Sequence, residues 1–399
     1  MICRICGSSS FEVVLDLGNQ PWCNNFLEEA DIGSEPTYPL RLVFCTNCRC
    51  SQLDFTVAKE IMFGDHTYLS GVTKSLSDHF FNIADSINLR FGRDFDRKNV
   101  LDIGSNDGTQ LKHYQALGWD VLGVESSKIT SKIAIDAGVP TLNKFFNLDC
   151  AKQIGSKYSV VNAAGVFFHL EELHSVAEGI REILAIDGIF VVQFLYMKSI
   201  MENLAFDQIY HEHLLYYTLE TIQRLLDLHG LEMFDAYLTP IHGGQMVGYV
   251  GHRGLRKPSN RLKSLQRIEQ ASSCNELDSY LVFASKVKEL KKRDLEYLNH
   301  AKNAGKRIFG MGAPVKGNTL LNYFGIGTDL IPYLLEKNEL RKGLYSPGMH
   351  IPILMESEVE EWPEILYVLA WNFKDEILRN RRDLVDQGVE FYFPINPSS

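Results

Sequence analysis

Tyr210-His-Glu-His213 packs a phenol, two imidazoles and a carboxylate into four consecutive residues. It is a dense cluster of acid–base groups. An imidazole titrates near neutral pH, so this is the natural place to expect a general base with supporting hydrogen bonds. If the segment is helical, Tyr210 and His213 share a face, three residues apart, and His211 points elsewhere. His-x-His spacing diverges on a helix and argues against a metal. The H-E-x-x-H pattern of zinc proteases is missing, because His213-Leu-Leu follows Glu212. The competing reading is a polar helix face with satisfied side chains. His169, in Val166-Phe-Phe-His-Leu170, follows an apolar strand. That places it at the carboxyl edge of a sheet, where α/β proteins bind ligands, unless it is a core or capping histidine.

A second stretch names the ligand such an edge would hold. Leu101-Asp-Ile-Gly-Ser-Asn-Asp-Gly-Thr-Gln-Leu111 runs from an apolar strand into a glycine turn and a helix. Gly104 and Gly108 are four apart, which is not the G-x-G-x-x-G dinucleotide fingerprint. The spacing is D-x-G-x-x-x-G, that of S-adenosylmethionine (SAM) methyltransferases. SAM has no pyrophosphate to cradle. It needs a bare backbone turn beside its methionine part, and a carboxylate at the end of the second strand for its ribose hydroxyls. Asp102, Gly104, Asn106 and Gly108 supply the turn, and Glu125, ending Asp120–Glu125, supplies the carboxylate. An ordinary ligand-free strand-to-helix turn is the alternative.

Six of the eight cysteines fall within the first fifty residues. Cys3-x-x-Cys6 and Cys45-x-x-Cys48 form two knuckles, and two knuckles complete a tetrahedral four-sulfur shell for Zn2+. Nothing like a secretion signal opens the chain, so a disulfide framework is not expected. A redox pair would sit between a strand and a helix, which neither knuckle does. A closed four-sulfur site leaves no open position, so the metal is structural. Cys23 and Cys50 stay ambiguous, and Cys50 could replace Cys48.

These groups need elements to position them. A 399-residue chain, 45% hydrophobic and 23% charged, is too long for one core. Three units are expected: a zinc-binding domain over 1–58, a methyltransferase domain over 59–252, and an α/β domain over 253–399. Strands in the middle unit fall at Val100–Ile103, Val121–Glu125, Pro140–Leu142, Val160–Ala164 and Ile189–Phe194. A final pair follows at Glu232–Leu238 and Gln245–Gly251. That order is the one a class I methyltransferase core requires. A charged helix from Glu276 connects to the last unit, which opens on a second Rossmann-like turn, Gly310-x-Gly312, with Pro314 near the helix start. Its backbone N–H groups suit a diphosphate, Lys316 adds charge, and Asn318 adds a hydrogen bond. The spacing again departs from that of NAD(P) sites. A net charge of −10 with no basic stripe argues against nucleic acid. Apolar runs are strand-length, so no membrane span is expected and the reading is cytoplasmic.

Taken together, the chain resembles the sugar C-methyltransferases, enzymes that methylate C3 of nucleotide-linked 4-keto-deoxysugars. The likeness rests on the knuckles with Leu17-Gly-Asn-Gln-Pro21 between them, Tyr68 to Ser77, Asp102 to Gly108, and Tyr210-His-Glu-His213 with Tyr216-Tyr-Thr218. It extends through His242-Gly-Gly244, Gly312-Ala-Pro-Val-Lys-Gly317, Thr319-Leu-Leu-Asn322 and Ser346-Pro-Gly-Met-His-Ile-Pro352. The resemblance implies that His213 is the base, with Tyr210 and Glu212 beside it, and that Tyr68 and His169 line the sugar pocket. It implies that His350 reaches the substrate, a dTDP- or GDP-linked 4-ketosugar, and the protein is expected to be a monomer. Two other classes compete: a SAM enzyme acting on oxygen or nitrogen of another small molecule, and a non-enzymatic zinc-ribbon binding module.

Overall fold

Strand β4 (Asn99–Ile103) is buried along its whole length. That is why its sequence reads as a nearly continuous apolar run, as expected of a parallel strand covered on both faces. The computed structural model describes residues 1–63, 69–72 and 74–396. Around β4 lie β5 (Asp120–Glu125), β6 (Thr141–Asn143), β7 (Tyr158–Ala164), β8 (Leu184–Leu195), β10 (Leu231–Thr239) and β11 (Gln245–His252). They form a sheet in the order β10-β11-β8-β7-β4-β5-β6. Strands β4 to β8 are mutually parallel, and β11 runs antiparallel to both β8 and β10. This is the class I methyltransferase order expected from the sequence, with strand ends moved by at most five residues.

The amino-terminal sheet is antiparallel: β1 (Phe11–Pro21), β2 (Thr37–Cys45) and β3 (Ser51–Leu53). Its fourth strand, β9 (Leu215–Tyr216), comes from the central unit and pairs with β3. The segment just after His213 is therefore stitched into the cysteine-bearing unit. The carboxyl-terminal sheet is parallel, in the order β14-β13-β12-β15-β16. Its strands are β12 (Ile308–Met311), β13 (Leu334–Glu336), β14 (Ile353–Met355), β15 (Ile365–Val368) and β16 (Glu390–Tyr392).

One helix, Leu277–Asn303, ties the outer units together. Tyr280, Phe283, Ala284, Val287, Leu290, Asp294, Leu298 and Ala301 are buried at helical spacing, and the charged residues between them form the solvated face. At its amino end Tyr280 packs on Phe44 at 4.9 Å. Further along, Asp294 accepts hydrogen bonds from Tyr367 at 2.7 Å and Tyr392 at 2.8 Å. One continuous core runs through all three units, from Cys3 and Leu42 through Phe190 and Tyr217 to Leu320 and Tyr367. Among the described residues, no helix is long and apolar enough to cross a membrane.

Candidate active site

His213 lies in a turn, not on a helix. The turn closes when the His213 N–H donates to Tyr210 O at 2.8 Å. Only a few residues separate the 3-10 turn Phe206–Gln208 from β9, which leaves no room for a helix between them. The turn still brings together the side chains expected to meet: the Tyr210 and His213 rings lie 3.8 Å apart. His213 Nδ1 is 2.7 Å from Gln208 O. A carbonyl only accepts, so Nδ1 carries the proton and Nε2 keeps its lone pair. Burial holds the imidazole well below its usual pKa, reinforced by His169 and His242 and opposed by the Gln208 bond. At neutral pH the ring is uncharged and able to take a proton.

His169 follows β7 at the carboxyl edge, with its ring 5.1 Å from that of His213. Its Nδ1 donates to Glu212 O at 2.5 Å, so it too presents Nε2. The Glu212 side chain turns to the amino-terminal unit, where it accepts from Trp22 Nε1 at 2.7 Å. Burial raises its carboxyl to about 7, against the pull of Trp22 and Asn24. His211 points elsewhere, as expected, and donates to Tyr38 O at 3.3 Å. Tyr68 lies outside the described residues.

The structure adds groups to which the sequence assigned no role. His79, on the helix Lys74–Phe91, bonds Gln193 Oε1 at 2.8 Å, and Gln193 in turn donates to Gln245. His242 sits with φ 52° in a turn whose next two residues are Gly243 and Gly244. A Cβ on Gly243 would lie 2.4 Å from the Trp371 ring, so glycine is required where this turn meets the carboxyl-terminal unit. His242 is exposed. Partial desolvation by the surrounding protein, with Lys316 and His79 nearby, lowers its imidazole. The His-Gly-Gly run was a usable signal for this turn. His79, Asp207 and Trp371 carried none, since each is an isolated residue that only tertiary packing delivers.

The SAM cradle is intact. Gly104 and Gly108 have φ of 68° and 76°, and a Cβ there would come within 2.6 Å of Val166 and 2.9 Å of Val139. Glu125 is pinned at the end of β5. Its Oε2 accepts the Asn106 N–H and its Oε1 the Ser127 N–H, each at 2.8 Å. Asp102 is buried on β4, and burial together with Glu125 drives its carboxyl well above the usual range. A bare turn beside a pinned carboxylate fits SAM. Glu125→Ala should weaken SAM binding by about 1.5–3 kcal/mol, the worth of hydrogen bonds to a charged group. Calorimetry with unchanged affinity would remove Glu125 from the cofactor site.

The four cysteines of the knuckles converge. Cys3 and Cys48 Sγ are 3.4 Å apart, Cys6 and Cys45 Sγ 3.6 Å, and all four lie within 4.8 Å of one another. Tetrahedral Zn–S bonds of about 2.3 Å imply Sγ–Sγ edges of roughly 3.8 Å, so the set fits Zn2+. The knuckles are alike: Gly7 N donates to Cys3 O and Arg49 N to Cys45 O, with φ of 70° and 67° at Gly7 and Arg49. Cys50 is not in the cluster. It is buried, and its Sγ faces Ser51 O at 3.4 Å. Cys23 is also buried apart from it.

The residues expected at the diphosphate have different surroundings. Lys316 Nζ lies 3.9 Å from Asp207 Oδ2 and 3.6 Å above the Trp371 ring, and burial lowers it to about 8 despite Asp207. Asn318 donates its amide to Cys23 O at 2.7 Å. His350, at φ 52°, pairs with Glu35 at 2.6 Å.

Three family models match in series: a "Putative zinc binding domain" over residues 3–63, a "Methyltransferase domain" over 78–236, and a "C-methyltransferase C-terminal domain" over 240–396. The C-methyltransferase NovU of Streptomyces niveus is 29% identical over 98% of this chain and 95% of its own. Along almost its whole length the chain is similar to a C-methyltransferase. It is a SAM-dependent enzyme with a class I core, and its amino-terminal cysteines form a zinc site. Looser likenesses accompany this. The PH0226 protein of Pyrococcus horikoshii OT3 matches at TM-score 0.37 and 15% identity, over 47% of this chain and 95% of its own. Magnesium protoporphyrin IX methyltransferase of Synechocystis PCC 6803, solved with bound SAM, matches at 0.34 and 15%, over 47% and 86%.

Proposed function

We propose that this C-methyltransferase acts at C3 of a nucleotide-linked 4-keto-deoxysugar, with dTDP or GDP as the nucleotide. The carrying observation is His213: a buried neutral imidazole whose Nδ1–H is held by Gln208 O, leaving Nε2 as a base at the sheet edge that carries the cofactor turn. Carbon is not nucleophilic until a proton leaves it, and a C4 ketone acidifies the C3 hydrogen. His213 Nε2 takes that proton, and the electron pair passes into the enolate. SAM, when bound, supplies the electrophilic methyl group that the C3 carbon attacks. Tyr210 packs against the imidazole and orients it, and His169, with Tyr68 by the family resemblance, is assigned to the sugar pocket. Glu212, bonded to Trp22, holds the amino-terminal loop against the turn that carries the base. On the carboxyl-terminal side, the turn after Gly312 faces the diphosphate, with Lys316 as its charge and Asn318 and His350 on flanking segments.

The test is methyl transfer from labelled SAM to a panel of dTDP- and GDP-linked 4-ketosugars and their 4-hydroxy counterparts. Transfer to ketones alone supports the reading. Transfer to a hydroxy sugar, or only to unrelated small molecules, would move the enzyme to the oxygen or nitrogen class.

A further inference from the structure

The carbonyl that fixes the His213 ring is itself held from the carboxyl-terminal unit. Gln208 O accepts the His213 Nδ1–H at 2.7 Å, so its place sets which ring nitrogen stays free. Gln208 ends the 3-10 turn Phe206–Gln208, whose three residues are all buried. Each is anchored by its side chain. Phe206 stacks on Phe324 at 5.3 Å and meets Tyr323 edge-on at 5.6 Å, both on the helix Val315–Phe324. Asp207 Oδ2 accepts the Trp371 Nε1–H at 2.7 Å, with Lys316 Nζ 3.9 Å away. Gln208 Nε2 donates to His242 O at 3.0 Å. The first two anchors come from the carboxyl-terminal unit, and the third from the His242 turn.

Trp371 touches both supports. It opens a 3-10 turn shortly after β15. Its indole N–H faces Asp207, and the far edge of its ring lies against the His242 turn, where a Cβ on Gly243 would come within 2.4 Å. That turn is tied back to the central unit twice: by Gln208, and by Asn203 Nδ2, which donates to Gly243 O at 3.1 Å. One ring thus braces the carbonyl-bearing turn directly and again through its neighbour. The bond to Asp207 is costly to break. Burial raises the carboxyl, Lys316 and Trp371 oppose that, and a buried carboxylate stripped of its partners is strongly destabilising. Asp207 and Trp371 are both at 0% exposure, so neither reaches a substrate, and any part they play in the reaction is through what they hold.

We propose that Trp371 and Asp207 are positioning residues for His213, and that through them the carboxyl-terminal unit sets the tautomer of the base. The proposal rests on the reading of His213 as that base. Releasing the Trp371–Asp207 bond frees Gln208 O to move away from the imidazole, and the ring proton is then shared between Nδ1 and Nε2. In the Nε2–H form the ring has no lone pair on the side where Nε2 would take the C3 proton. The carboxyl-terminal unit therefore contributes to the deprotonation step itself.

Two variants of the full-length protein test this. Trp371→Phe keeps an aromatic ring and removes the N–H, and Asp207→Leu removes the acceptor at similar volume. With a nucleotide 4-ketosugar, each should lower kcat and solvent deuterium exchange at C3 together, by roughly ten- to a hundredfold, the cost of a small misplacement, with SAM affinity unchanged. The double variant should lose no more than the worse single, as the two ends of one bond do. NMR of protein labelled with 15N-histidine adds a readout that loose packing alone would not move. The His213 ring signals, assigned by their absence from His213→Asn, should show Nδ1–H in the wild type and a mixture of tautomers in both variants. Should one variant fail to fold, the other carries every readout. Wild-type transfer in a folded variant, or lost transfer with His213 still wholly Nδ1–H, overturns the proposal. If His213→Asn itself keeps wild-type transfer and exchange, the reading of His213 as base falls instead, and this proposal falls with it.

Discussion

His213→Asn is expected to fold and to bind SAM and substrate, yet to lose methyl transfer by about two orders of magnitude or more, the usual worth of a general base. It should also lose solvent deuterium exchange at C3 when SAM is replaced by its demethylated product, which separates deprotonation from transfer. Exchange at the wild-type rate in His213→Asn, but lost in Tyr210→Phe or His169→Asn, would reassign the base. The pH profile gives a second reading. Burial and the neighbouring imidazoles depress the His213 pKa, so the ring stays neutral as pH falls through about 6.5, the ordinary imidazole value. The acid limb of kcat should therefore lie well below that point. Stability has the same sign: the unfolded chain takes up the proton first, so His213 favours folding above about 6.5 and loses that contribution as pH drops toward its folded pKa.

Stripping the metal should have the larger effect on folding. About one zinc per chain is expected, and Cys48→Ser should lose most of it. Structural zinc contributes roughly 10–16 kcal/mol of apparent binding free energy in small domains, as much as or more than a whole domain's usual stability of about 5–15 kcal/mol. The amino-terminal unit should then unfold, read as loss of its antiparallel-strand signal and protease resistance. Activity should fall with it, because β9 pairs with β3 and Trp22 holds Glu212 beside the base. Elemental analysis showing no metal, or full activity in metal-free Cys48→Ser, would contradict this.

The cofactor turn and the knuckles were legible because their chemistry depends on local spacing. Gly104, Gly108, Glu125 and the two Cys-x-x-Cys turns sit where their sequence separation alone puts them. Strand order was legible for a related reason, since buried parallel strands read as apolar runs. The site was legible only in part. Tyr210 and His213 were expected on one helical face and meet instead across a turn, because a three-residue offset serves either geometry. Glu212 looked like a partner of the base, but its neighbour across space is Trp22, far away in sequence. His79, Asp207 and Trp371 were invisible, because their meaning comes from helices and loops of different units packing together.

The most direct test of the central claim is where the methyl group goes. The enzyme would be given SAM carrying a 13C-labelled methyl and a nucleotide 4-ketosugar labelled with 13C at C3, and the product read by NMR. The account predicts a one-bond carbon–carbon coupling between the new methyl and C3, with loss of one C3 hydrogen. A labelled methyl on oxygen or nitrogen, uncoupled to C3, would contradict it.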